Sequence, residues 1–79
     1  MNMSEVVCPL PGVFYRRPSP DEPMYVEEGQ SVKAGDVVGL VEVMKNYQEV
    51  HSETDGVIKN IKIEDGSVVE AGQVIAEIE

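Results

Sequence analysis

Two stretches decide the fold: Gly29-Gln30-Ser31-Val32-Lys33-Ala34-Gly35 and Gly66-Ser67-Val68-Val69-Glu70-Ala71-Gly72. They share the pattern G-x-x-V-x-A-G at an offset of 37 residues, and each runs into a hydrophobic segment ending in glutamate, Asp36 to Glu42 and Gln73 to Glu79. Earlier in each half, Pro11-Gly12-Val13 resembles Asp55-Gly56-Val57 at an offset of 44, so the first half carries seven extra residues before Gly29. Their natural place is Arg17-Pro18-Ser19-Pro20-Asp21-Glu22-Pro23, where three prolines fix φ and remove backbone donors. That segment reads as a loop projecting from the first half.

Around the repeat, short apolar runs rich in Val and Ile (Val6–Val7, Val37–Val43, Val57–Ile63, Val74–Ile78) alternate with Gly and Asp-Gly punctuation. No segment keeps a helical period over ten residues, so the pattern predicts an all-β domain. Two similar halves, each of about four strands, predict a flattened β-barrel or sandwich of two four-stranded antiparallel sheets with a quasi-two-fold internal repeat. The expected core is Val7, Val13, Val26, Val32, Val37, Val41, Val50, Val57, Ile61, Val69, Val74 and Ile78. The chain is read as one domain, residues 1–79, with the insertion at about 17–23.

Composition narrows the function. Six basic residues against fifteen acidic ones give a net charge of −9. Arg16–Arg17 are the only adjacent basic residues, too few to track phosphates, so nucleic acid is not an expected partner. The acidity favours encounters with basic protein surfaces. One His, His51, and one Cys, Cys8, lack metal-ligand spacing, and Ser19 and Ser31 have no histidine placed as a partner. No apolar run spans a bilayer, no disulfide is available, and a reducing cytoplasm is the expected setting. Such a chain is not expected to perform chemistry by itself.

The remaining signal is Glu42-Val43-Met44-Lys45-Asn46-Tyr47-Gln48-Glu49. Two strands should pair here with Met44-Lys45 at the hairpin turn and Asn46 as the tolerant residue where the chain leaves it. The repeat makes this link the counterpart of the two termini, which puts Lys45 at the end opposite Met1 and Glu79. Most turn lysines are simply solvated. Lys45, however, is the only basic residue between Lys33 and Lys59, and it lies at the internal symmetry point.

Glu42-Val43-Met44-Lys45 resembles the E-A-M-K-M biotinylation motif. The chain from Val6 to Glu79 looks like the biotinyl domain of acetyl-CoA carboxylase carrier proteins, within the biotin/lipoyl attachment family. Pro11-Gly12-Val13-Phe14-Tyr15-Arg16, Pro18-Ser19-Pro20-Asp21, the repeated turn and Asp55-Gly56-Val57 carry the likeness. The proline-rich insertion is similar to that subgroup's thumb, which the family holds near its biotin. Lipoyl domains generally carry D-K-A and lack the thumb. Val43 departs from the usual Ala, and Asn46 from the usual Met.

The resemblance implies that a biotin protein ligase joins biotin to the Lys45 amine, with Met44 a recognition neighbour. The arm would carry carboxylate from a biotin carboxylase to a carboxyltransferase acting on an acyl-CoA, acetyl-CoA in this subgroup, which serves fatty-acid synthesis. The thumb, Pro18 to Pro23, with Pro18, Ser19, Pro20 and Asp21 as its candidate contacts, would either fold over the biotin ring or be a plain surface loop. Tyr15, Tyr25 and Tyr47 are expected to be packing or strand residues rather than ring-stacking partners. Glu42, Glu49, Glu53 and Asp55 would form either a docking face or a solvated one, and Arg16 and Arg17 would pair with acids near the thumb. A lipoyl carrier and an unmodified interaction module of the same fold are the competing readings.

Overall fold

The computed structural model describes residues 3–79, which form eight strands and, among the described residues, no helix. The strands are β1 (Ser4–Val7), β2 (Gly12–Tyr15), β3 (Ser31–Val32), β4 (Val37–Val43), β5 (Asn46–His51), β6 (Gly56–Ile61), β7 (Ser67–Val69) and β8 (Val74–Ile78). One sheet has the order β1-β8-β6-β3 and the other β5-β4-β2-β7, and every pairing is antiparallel. Each sheet takes two strands from each half of the chain, so neither half makes a sheet alone. The expected pair of four-stranded sheets is what forms.

The repeat is visible in the register. Ser4 pairs with Ile78 as Gln48 pairs with Val41, Val6 with Ala76 as Val50 with Gly39, and Val7 with Val74 as His51 with Val37. Both ladders shift at the same place. The turns repeat as well: the Gly35 N–H donates to Ser52 O and the Gly72 N–H to Cys8 O, each at 2.8 Å. Gly35 and Gly72 have φ of 97° and 84°, left-handed angles that favour glycine and explain why it recurs in the motif.

A bulge in β6 between Ile58 and Asn60 adds one residue to the second half. Beyond it the twin of Arg16 is Ile61: the Arg16 N–H donates to Asp65 Oδ1 and the Ile61 N–H to Glu28 Oε2. Thirteen positions separate Arg16 from Gly29 and five separate Ile61 from Gly66, so the thumb loop is eight residues longer than its counterpart.

Most of the core is made of symmetry twins: Val6 with Val50, Phe14 with Ile58, Val32 with Val69, Val38 with Ile75 and Val41 with Ile78, all at most 5% exposed. Cys8 and Ser52 are a sixth pair; the Cys8 thiol donates to Leu10 O as the Ser52 hydroxyl donates to Thr54 O. Val26, Val32, Val41, Val50, Val69 and Ile78 are buried as expected. The other half of the expected core is corrected. Val7 and Val57 are exposed, Val13, Val37, Val74 and Ile61 are half-buried, and the neighbours Val6, Phe14, Val38, Ile58 and Ile75 go inside. Successive side chains on a strand alternate faces, so a one-residue error of phase exchanges inside for outside.

Phe14 fills the space beside Gly39, where an added Cβ would collide with the ring. β4–β5 is the only pairing among the described residues that joins consecutive strands; all the others are long-range. That local hairpin carries residues 44 and 45 at its tip. Met1, in the expectation that Lys45 lies opposite the termini, falls outside the described residues.

Candidate functional site

The β4–β5 turn is held by two residues, Met44 and Lys45, between the Val43–Asn46 pair. Their φ angles are 50° and 69°, so both residues are left-handed and the turn is of type I′. This type matches the twist of the flanking strands but prefers Asn and Gly. Here it is occupied by two long side chains, both exposed, with Met44 at 87%. Asn46, expected to take the left-handed angle, is instead the first residue of β5.

Glu42 supports the turn: its Oε2 accepts the Lys45 backbone N–H at 3.1 Å, and the Lys45 residue itself is exposed. The other acids grouped with it divide. Glu49 pairs with His51 at 3.3 Å, and Asp55 Oδ1 accepts the Ala34 N–H at 2.8 Å. Much of that acidity therefore holds turns and strands, and Glu53 stays exposed.

Beside the hairpin lies a cleft of about 680 Å³ lined by Tyr15, Arg17, Pro18, Ser19, Pro20, Leu40, Tyr47 and Asp65. The sheet explains its floor: Tyr15 pairs with Leu40 and Leu40 with Glu49, while Glu42 pairs with Tyr47. Leu40 is 8% exposed although it stands apart from the main core cluster. Pro18, Ser19 and Pro20 form the thumb side. The Glu22 N–H donates to Ser19 O at 3.1 Å, closing a turn with Pro20 at its second position, where a fixed φ is favoured. Asp21 sits exposed on that turn and does not line the cleft.

At the far end of the thumb the Tyr25 N–H donates to Arg16 O at 2.8 Å, and Val26 anchors the loop in the core. Burial pushes the Tyr25 phenol above its ordinary range, and the carboxylates of Glu49 and Glu22 push it the same way. The Arg16 guanidinium donates to Val26 O rather than to an acid. Among the described residues Arg17 pairs with no carboxylate, contrary to expectation. Tyr15, Tyr47, Leu40 and Asp65 join the thumb residues in one cleft, a grouping that the sequence did not announce.

The sequence profile of the family described as Biotin-requiring enzyme (biotin/lipoyl) matches residues 4–78. The chain belongs to that family. Among curated biotin-requiring relatives, the biotin carboxyl carrier protein of acetyl-CoA carboxylase from Haemophilus influenzae is 45% identical over 74 residues, covering 94% of this chain and 48% of that protein. The protein of the same name from Pseudomonas aeruginosa is 41% identical over 78 residues, covering 99% of this chain and 50% of its own. The chain thus spans about half the length of these relatives. In structure it is similar to part of the Kluyveromyces lactis urea carboxylase, with a TM-score of 0.81 and 26% identity over the whole chain and 6% of the carboxylase. Among the described residues no group of three or more His, Cys, Asp or Glu could hold a metal ion, and no helix is long and apolar enough to cross a membrane.

Proposed function

We propose that this domain is a biotin carboxyl carrier, with Lys45 the attachment residue. The observation that carries the reading is the hairpin tip. A lysine with a free amine is held in a left-handed turn that Asn or Gly would occupy more cheaply, and family membership supplies the reason to keep it there. Biotin also fits the surroundings. The cleft has the size of small-molecule sites, on the order of 300–1,000 Å³, with an apolar floor at Leu40 and tyrosines at Tyr15 and Tyr47.

Each residue then has a role. Lys45 supplies the amine for the amide link, and Glu42 fixes the turn that presents it. Met44 gives a biotin protein ligase an exposed apolar contact beside the acceptor. Pro18, Ser19 and Pro20 line the thumb side of the cleft, where the ring would lie, and Asp21 is the exposed third residue of their turn. Held as an amide on Lys45, biotin would supply the carboxyl-carrying chemistry that links the two enzyme sites. The chain is a carrier and not a catalyst; its partners are a biotin carboxylase and a carboxyltransferase acting on acetyl-CoA, in a cytoplasmic setting that keeps Cys8 reduced. Tethering holds the cofactor at high effective concentration near both enzymes.

Reconstitution tests this directly. Biotinylated chain added to carboxylase and transferase subunits lacking their own carrier should restore acetyl-CoA-dependent turnover. Turnover by the Lys45→Ala chain would refute the assignment.

A further inference from the structure

The internal repeat provides a control for the cleft. Beyond the β6 bulge, Tyr15, Arg17 and Leu40 have Asn60, Lys62 and Glu77 as their twins. In the second half the three twins satisfy one another: Lys62 Nζ lies 3.8 Å from Glu77 Oε2, and the Asn60 amide donates to Glu77 Oε1 at 2.8 Å. In the first half Leu40 stands where the carboxylate would be, and the cation has no acidic partner among the described residues. The Arg17 Nε is buried with no hydrogen-bond acceptor. A buried donor left in that state is costly, and in a chain with fifteen acidic residues it is conspicuous.

We propose that the cleft beneath the thumb receives a carboxylate, with Arg17 taking from the ligand the anion that Leu40 does not supply. A guanidinium is planar and its paired N–H groups match the two oxygens of a carboxylate. The Leu40 side chain and the two tyrosines suit an apolar body attached to that anion. Tyr47 is two residues from Lys45, about 7 Å at the usual strand rise of ~3.3 Å per residue. The inference therefore rests on Lys45 carrying biotin: the anion is the carboxylate borne on that arm, and Arg17 separates a loaded arm from an empty one. A free carboxylate or bicarbonate shares the chemistry. Asp65 lines the same cleft and opposes any anion, although its Oδ1 is engaged at 2.7 Å by the Arg16 N–H.

The side-chain Nε–H resonance of Arg17 reports the contact, with Arg16 as reference in the same spectrum. In the unmodified chain, acetate or bicarbonate should shift Arg17 saturably and leave Arg16 in place, while chloride at matched ionic strength should not. Leu40→Glu, which restores the twin's carboxylate, should weaken acetate binding at least tenfold. Asp65→Asn should tighten it several-fold, and Arg17→Gln should remove the acetate-induced shifts at Tyr15 and Tyr47. Equal response to acetate and chloride would overturn the proposal.

The second arm uses biotinylated chain, verified by intact mass, with biotin carboxylase, ATP and a bicarbonate level that leaves the unmodified chain unshifted. A shift of Arg17 there assigns the anion to the arm; none there, with a response in the first arm, overturns that assignment. Failure of the mass check strikes the Lys45 reading and not the Arg17 site.

Discussion

Replacing Met44-Lys45 by Asn-Gly should stabilise the domain. Both residues have positive φ, and a left-handed angle costs an L-residue with a full side chain roughly 1–2 kcal/mol. Asn and Gly carry much less of that cost. Little burial is lost, because both side chains are exposed. The hydrogen bond from Glu42 is kept, because it engages the backbone N–H of position 45. Against this, glycine loosens the unfolded chain by about 0.4–1 kcal/mol. The net expectation is a gain of about 1–2 kcal/mol, and each kcal/mol moves the Tm of a domain this size by roughly 4–8 °C. Urea denaturation and a thermal scan at pH 7 measure it. An unchanged or lower stability, with the urea slope unaltered, would show that the turn is not strained and remove the main physical argument for a special lysine. The variant also lacks the proposed acceptor amine, so on that proposal its extra stability would measure what the domain gives up to present Lys45.

Other perturbations follow from the repeat and the core. Cys8→Ser should change stability by less than about 1 kcal/mol, because Ser52 makes the same hydrogen bond in the twin position. Gly39→Ala should cost about 1–3 kcal/mol by driving a methyl into the Phe14 ring, read from the urea midpoint. Phe14→Ala should cost about 3–5 kcal/mol, most of the stability of a small domain, and show as loss of the cooperative transition. Tyr25 predicts a pH effect. Its folded pKa is raised, so its contribution is complete below the unfolded value near ~10 and is lost as pH rises through the folded one. Tyr25→Phe should flatten the alkaline fall in Tm.

The G-x-x-V-x-A-G repeat made the two sheets and the hairpin position legible because glycine at positive φ leaves a direct mark in sequence. The prolines of 18–23 marked the thumb for the same kind of reason. Strand phase was harder. Val6-Val7, Val37-Val38, Val57-Ile58 and Val74-Ile75 each offer two apolar residues, and only packing decides which enters the core. Asn46 misled because its pairing with Val43 puts the two left-handed positions at Met44 and Lys45, just before the residue that local preference favours. The cleft was not legible: Tyr15, Arg17, Leu40 and Tyr47 meet through pairings of β2 with β4 and β4 with β5 that no local pattern encodes.

Lys45 itself is tested most directly by intact mass and peptide mapping after incubation with a biotin protein ligase, biotin and ATP. The predicted result is one biotinyl group per chain, mapped to Lys45 and absent from Lys45→Ala. Biotin on another residue, no gain in mass, or a gain only of lipoate under a lipoyl ligase would contradict it.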